Sequence, residues 1–94
     1  MNTENSEVIH NPEERRFELT IDGHLAVLDY LMMDDIIVFT HTGVPPEIEG
    51  RNAGVKLAQT GLEYARENGL WVRSRCWFMN KYLQRHPEVQ DLLK

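Results

Sequence analysis

From Asn52 to Asn68 the residues with least side-chain bulk, Gly54, Ala58, Gly61 and Ala65, recur at spacings of four, three and four. That recurrence puts them on one face of a helix. A face without bulk lets the helix lie close against a sheet. Leu57 and Leu62 flank the stripe, and Lys56, Glu63, Arg66 and Glu67 take the wet side. Gly69, just after Asn68, is the expected helix stop. Such a helix needs strands to lie on, and its neighbours supply them. Ile36-Ile37-Val38-Phe39 reads as a strand buried on both faces. Leu70 to Cys76 reads as another, with Leu70, Val72, Ser74 and Cys76 on one side.

The segments before and after follow the same logic. Phe17, Leu19 and Ile21 alternate with Arg16, Glu18 and Thr20, the period of a half-buried strand. Asp22-Gly23 tolerates positive φ at both centres of a tight hairpin turn. A second strand runs from about His24 to Met33, and Asp34-Asp35 turns the chain into the third. The first half is therefore an antiparallel three-stranded meander. Trp77 to Arg85 reads as a short helix with Phe78, Met79, Tyr82 and Leu83 inward, ended by Pro87. Met1 to Glu14 is polar and reads as a flexible N-terminal arm, leaving residues 15–94 as one α/β domain with a mixed sheet.

Composition narrows the function. Ten basic against fifteen acidic residues give a net charge of −5, which argues against non-specific nucleic-acid binding and anionic membrane surfaces. No apolar run approaches the roughly 18 residues that cross a bilayer, and the N-terminus has no apolar signal core. The expectation is a cytoplasmic domain. One cysteine makes no intrachain disulfide, and His10, His24 and His86 have no metal-ligand spacing with it, so no metal is expected.

If the strands at Ile36–Thr42 and Leu70–Cys76 pair, they are parallel, joined by the Asn52–Asn68 helix. Their carboxyl ends then share the sheet edge where open α/β sheets bind ligands. His41 and Cys76 sit on those ends. Between strand and helix runs Thr42-Gly43-Val44-Pro45-Pro46-Glu47-Ile48-Glu49-Gly50-Arg51-Asn52-Ala53-Gly54. The first amides of the helix lack intrahelical partners and have the positive dipole end behind them. With Gly50 and Gly54 permitting close backbone approach and Arg51 adding charge, the loop can cradle a pyrophosphate. It can equally be an ordinary strand-to-helix connection.

His41-Thr42-x-Val44-Pro45, the loop Glu49 to Gly54, Tyr64-Ala65-Arg66-Glu67-Asn68-Gly69, Cys76-x-Phe78, and Tyr82 with Arg85-His86-Pro87 together resemble the GNAT-type N-acetyltransferases. The likeness is to their minimal single-domain members and covers Arg16 to Leu93. It implies a GNAT-like mixed sheet and transfer of acetyl from acetyl-CoA to a primary amine (a protein lysine, an N-terminus or a small amine) by a monomer or weak dimer. In that family the loop reads Arg/Gln-x-x-Gly-x-Gly/Ala. Here Glu49 stands at the Arg/Gln position and Asn52 at the first glycine. Asn is the non-glycine residue best suited to left-handed backbone angles.

The resemblance implies that backbone groups of Thr42 and Val44 meet the pantetheine arm. Amides from Arg51 through Asn52, Ala53 and Gly54 to Val55, with Gly50 before them, would hold the pyrophosphate. Asn80 lines the arm or faces water. Cys76 is an acyl carrier, a proton donor to the leaving thiolate, or a packing residue; His41 is a base or a histidine capping the sheet edge. Tyr82 is an acid near the sulfur or a core aromatic. The larger enzymes' extra helices after the first strand are missing, so the acceptor side should be open. Two other readings are an acyl-CoA-binding module without useful turnover and a protein-interaction domain.

Overall fold

The computed structural model describes residues 8–94. Five strands form one mixed sheet in the order β1-β2-β3-β4-β5. They are β1 (Ile9–Asn11), β2 (Arg16–Ile21), β3 (His24–Met33), β4 (Ile36–Gly43) and β5 (Trp71–Ser74). Helix α1 (Ala53–Glu67) crosses from β4 to β5, and α2 (Trp77–Arg85) follows β5. The first four strands run antiparallel, and β5 is parallel to β4. Among the described residues no helix is long and apolar enough to cross a membrane.

The pattern of β2 explains its place. Phe17, Leu19 and Ile21 are buried, and their register partners Leu28, Ala26 and His24 follow from a hairpin at Asp22-Gly23. Both turn residues have positive φ, 51° and 80°. That angle is cheap for glycine and tolerable for aspartate. Strand β4 buries Ile37, Val38 and Phe39 in succession, as a strand paired on both sides does.

Helix α1 lies on this sheet by its small face. Gly54, Ala58, Gly61 and Ala65 are all buried, with Leu57 and Leu62 beside them. A Cβ on Gly61 would stand 3.0 Å from the Phe39 ring and 3.1 Å from Leu28 Cδ2, so the missing side chain sets the helix–sheet distance. Asn52 caps the helix in the left-handed conformation, φ 64°, the tolerance expected of asparagine there.

One expectation needs correction, and the C-terminus adds a detail. Structure does not wait for Arg16: β1 pairs with β2, Ile9 opposite Glu18 and Asn11 opposite Arg16. The strand is too short to show a period, and aromatic contact holds it. The His10 ring stacks on Phe17 at 4.4 Å, meets Tyr64 of α1 edge-on at 4.5 Å, and its Nε2 lies 2.5 Å from the Tyr30 hydroxyl. Residues 1–7 of the expected arm lie outside the described residues. At the other end, Pro87 stops α2 but not the fold. Pro87–Leu92 winds into a 3-10 turn that buries Leu92, and Leu93 bridges Val72 along the free edge of β5.

Two outcomes follow. Replacing Ala58 by leucine overpacks the α1 seat and costs about 1–3 kcal/mol, read as a lowered midpoint in urea unfolding. The second concerns pH. Burial holds the His10 imidazole below its ordinary value and raises the Tyr30 phenol, so Tyr30 keeps its proton to donate to a neutral His10. A depressed histidine leaves the folded state binding fewer protons than the unfolded one. Its contribution is therefore complete above about pH 6.5 and is lost as the pH falls below that toward the folded value. His10→Phe should flatten this part of the stability profile, measured by urea titrations between about pH 7 and pH 5.

Candidate active site

The parallel pair β4–β5 is short. It begins at Ile36 opposite Trp71 and ends at Phe39 opposite Ser74, with Arg75 N–H donating to the Phe39 carbonyl at 2.8 Å just beyond. On its other side β4 carries a bulge at the same level: Tyr30 opposes Phe39 and Asp29 opposes His41, so Thr40 is an extra residue. A bulge bends its strand. Beyond it β4 continues with β3 to Gly43, while the chain after Ser74 turns away into α2. The sheet therefore parts where the sequence located the ligand edge.

Cys76 stands in this opening. It is the N-cap of α2, its Sγ accepts from Met79 N–H at 3.5 Å, and the residue is only 4% exposed. The Ser74 hydroxyl pins its backbone, accepting from Cys76 N–H at 3.1 Å and donating to the Cys76 carbonyl at 3.2 Å. This is why the strand expected through Cys76 stops at Ser74. Across the gap Thr42 Oγ1 lies 3.0 Å from Cys76 Sγ.

His41 goes elsewhere. Side chains alternate along a strand, so neighbours on β4 face opposite ways. Thr42 shares the helix-covered face with its register partner Leu28, and His41 shares the other face with Asp29. His41 is 65% exposed at the side chain, and its Nδ1 is 3.4 Å from Asp29 Oδ2. The ring also leans over Gly43, where a Cβ would come within 3.1 Å of it. Cys76 and His41, both expected on the strand ends, thus belong to two separate pairs, Cys76–Thr42 and His41–Asp29, one on each face. Asp29 and Ser74 were not readable as site residues, because only the register and the cap geometry bring them there.

The loop after β4 is anchored by buried Ile48 in a 3-10 turn, Pro46–Ile48. Arg51 N–H donates back to the Ile48 carbonyl at 3.2 Å, so that amide serves the turn and not a ligand. Gly50 turns the chain at φ 84° with open space around its Cα, and Asn52 follows at φ 64°. The amides of Ala53, Gly54 and Val55 open α1 and have no carbonyl one turn earlier in the helix. The side of Gly54 where a Cβ would stand is taken by Phe78, whose ring would lie 2.8 Å from it. The missing side chain lets α2 close on α1. The Arg51 guanidinium is held by Asp22 at 2.9 Å, both side chains half or more exposed. Glu49 is exposed and Val44 partly buried against the core.

Of the remaining candidates, Tyr82 is a core aromatic, stacked 3.8 Å from His86 and with its phenol raised by burial. Asn80 lines a cavity at the outer edge of β5 with Arg73, Gln90 and Leu93. The structure brings together Thr42 and Cys76 at the opening, and Gly50 to Val55 at the head of α1; the cavity lined by Asn80 also takes in Ser74 and Arg75, where the pairing of β4 with β5 ends.

The family model for GCN5-related N-acetyl-transferases matches residues 16–92. The chain belongs to that family. Protein NATD1 of Mus musculus is 33% identical over 88 residues, covering 90% of this chain and 80% of that one. Protein NATD1 of Gallus gallus is 33% identical over 89 residues, with 92% and 81% covered. The NMR structure of a GCN5-like protein from Staphylococcus aureus superposes with a TM-score of 0.75 at 32% identity, covering 96% of this chain and 89% of that one. The mixed sheet and the acyltransferase class are those expected from the sequence. Acetyl-CoA is the donor this acetyltransferase family generally uses.

Burial gives the thiol of this acetyltransferase domain a measurable signature. Bulky disulfide reagents should modify native Cys76 on the order of a hundredfold more slowly than the urea-unfolded chain. Thr42→Val should speed the native reaction by loosening the opening, followed as absorbance of the released aryl thiolate.

Proposed function

We propose that the chain moves acetyl from acetyl-CoA to a primary amine on a protein or peptide, with the reaction seated in the opening between β4 and β5. The observation that carries this reading is that opening: pairing stops at Phe39–Ser74, and a hydroxyl and a thiol 3.0 Å apart stand just beyond. Backbone groups of Thr42 and Val44, freed from β5, suit an extended amide-bearing arm. The amides of Ala53, Gly54 and Val55 suit a pyrophosphate, with the positive end of α1 behind them. Arg51 joins them by leaving Asp22. An exposed pair of this kind is worth about 0–1 kcal/mol, so exchanging one anion for another costs little. Glu49, exposed to water, need not oppose the phosphates.

The two faces of β4 divide the chemistry. From the uncovered face, His41 takes a proton from the incoming ammonium, with Asp29 holding the imidazole and attracting the cation. The freed amine attacks the acetyl carbon, its nitrogen gives up a second proton to water, and the carbon–sulfur bond of the thioester breaks with its electron pair on sulfur. From the covered face, Cys76 gives its proton to that sulfur, and the proton is restored from water through the Thr42 hydroxyl. The products are the amide and free CoA. The absence of a helix between β2 and β3 leaves the acceptor face open, which suits a chain-borne amine, and the net charge of −5 favours a cationic one.

A covalent route through Cys76 is the second reading, favoured by its place as the free thiol at the opening. There the Cys76 sulfur takes the acetyl group while its proton goes to the departing CoA sulfur. Release of CoA thiol with a panel of peptide amines tests the main reading. His41→Ala should lower kcat by about 10²–10⁴-fold, and Cys76→Ala should lower kcat while calorimetry still shows acetyl-CoA bound. An isolated acetyl-enzyme that passes its acetyl to an added amine would establish the covalent route. A parent chain that binds no acetyl-CoA in calorimetry overturns both.

A further inference from the structure

A cleft of about 240 Å³ lies between the head of α1 and the exposed side of α2, lined by Val55, Trp77, Phe78, Lys81, Arg85 and His86 among others. None of the side chains given a part in the transfer chemistry lines it. Trp77 is 73% exposed, more than any other large apolar residue described. An indole left in water at the start of a helix contributes little packing. Lys81 Nζ stands 4.7 Å from its ring centroid. Trp77, Lys81 and Arg85 fall four residues apart, so they form one stripe along α2.

The electrostatics are local and opposite to those of the chain. The net charge is −5, yet among the described residues no carboxylate lines this cleft. The carboxylates Glu63 and Glu88 line a separate cavity beyond Tyr82. An anion in the cleft is therefore held toward Lys81 and Arg85. Its floor is apolar, Val55 and Phe78, and Val55 is the third residue of α1. The cleft thus begins beside the amides that suit a pyrophosphate. A flat exposed ring, two cations on one stripe and an apolar floor fit a planar base carrying a phosphate monoester.

We propose that this cleft seats the 3′-phosphoadenosine end of CoA. Trp77 stacks on the adenine, and Lys81 and Arg85 hold the 3′-phosphate. The proposal rests on the acetyl-CoA reading above and adds the residues that distinguish CoA from its dephosphorylated form.

The test is calorimetry of the whole chain with CoA, 3′-dephospho-CoA and adenosine 3′,5′-bisphosphate. The parent should bind CoA about tenfold or more tighter than dephospho-CoA, the scale of charge-assisted hydrogen bonds to one phosphate. Lys81→Gln with Arg85→Gln should bind both forms as the parent binds dephospho-CoA. Trp77→Ala should weaken both forms alike, by about 5- to 100-fold if the stack is lost. All three side chains are exposed, so folding is checked simply by an unchanged circular dichroism spectrum.

A parent that binds CoA and dephospho-CoA equally overturns the cleft and leaves the donor reading standing, as does a double variant that still discriminates. Binding of the bisphosphate alone, lost in the double variant, removes the acetyl-CoA reading and keeps a nucleotide in the cleft. Binding of none of the three overturns both.

Discussion

The contact between Gly61 and Phe39 is the constraint from which the rest of the architecture follows. Phe39 is fully buried, and the helix approaches it so closely that even one methyl group on Gly61 would make an unusually tight contact, 3.0 Å from the ring. Phe39 is also the last β4 residue paired with β5, and the residue after it is the bulge. One side chain therefore lies both where the helix is seated and where the two parallel strands stop running together. Burying a ring of this size contributes about 1.5–3 kcal/mol. Everything past Phe39 is released from the sheet on one side, and the residues given chemical roles lie there.

The layers of the fold were legible because they rest on period. Alternation at Phe17, Leu19 and Ile21 and the four-three-four spacing of small residues in α1 each report a single buried face, and burial follows them residue by residue. The β1 strand was not legible. Its three residues carry no alternation, and what fastens it is His10 wedged among Phe17, Tyr30 and Tyr64, three residues drawn from three separate elements. The site divides in the same way. Residue types pointed to Cys76, His41 and the loop, but the partners did not, since a one-residue bulge decides what each side chain meets. Gly54 shows the limit clearly. In sequence a glycine at a helix start suits a phosphate loop, whereas in space its missing Cβ is filled by Phe78.

Charge is used with similar economy. Arg51 rests on Asp22, Arg66 on Asp91, and Arg16 on Glu18, so three of the cations are paired with carboxylates near them. Lys81 and Lys94 instead lie against the rings of Trp77 and Trp71. A cation over a ring keeps its positive field, because the partner brings no net charge to cancel it. In an acidic chain such positions are where a mobile anion finds an uncompensated positive field.

The bulge at Thr40 has a bearing on how this sheet could change under selection. It is a defect in a regular ladder: one residue has no register partner on β3, and the hydrogen-bonding groups beyond it no longer meet β5. A chain lacking Thr40 would keep Phe39, His41 and Thr42 on the faces they now occupy, because the surplus residue alone interrupts the alternation. Its ladder with β3 would then run unbroken, and β4 would lose the bend that the surplus residue puts into it. Selection for thermal stability alone would favour that repair, and the product would be a sounder sheet with a differently shaped edge. The surplus threonine is thus a point at which firmness of fold and the shape of the sheet's edge pull in different directions.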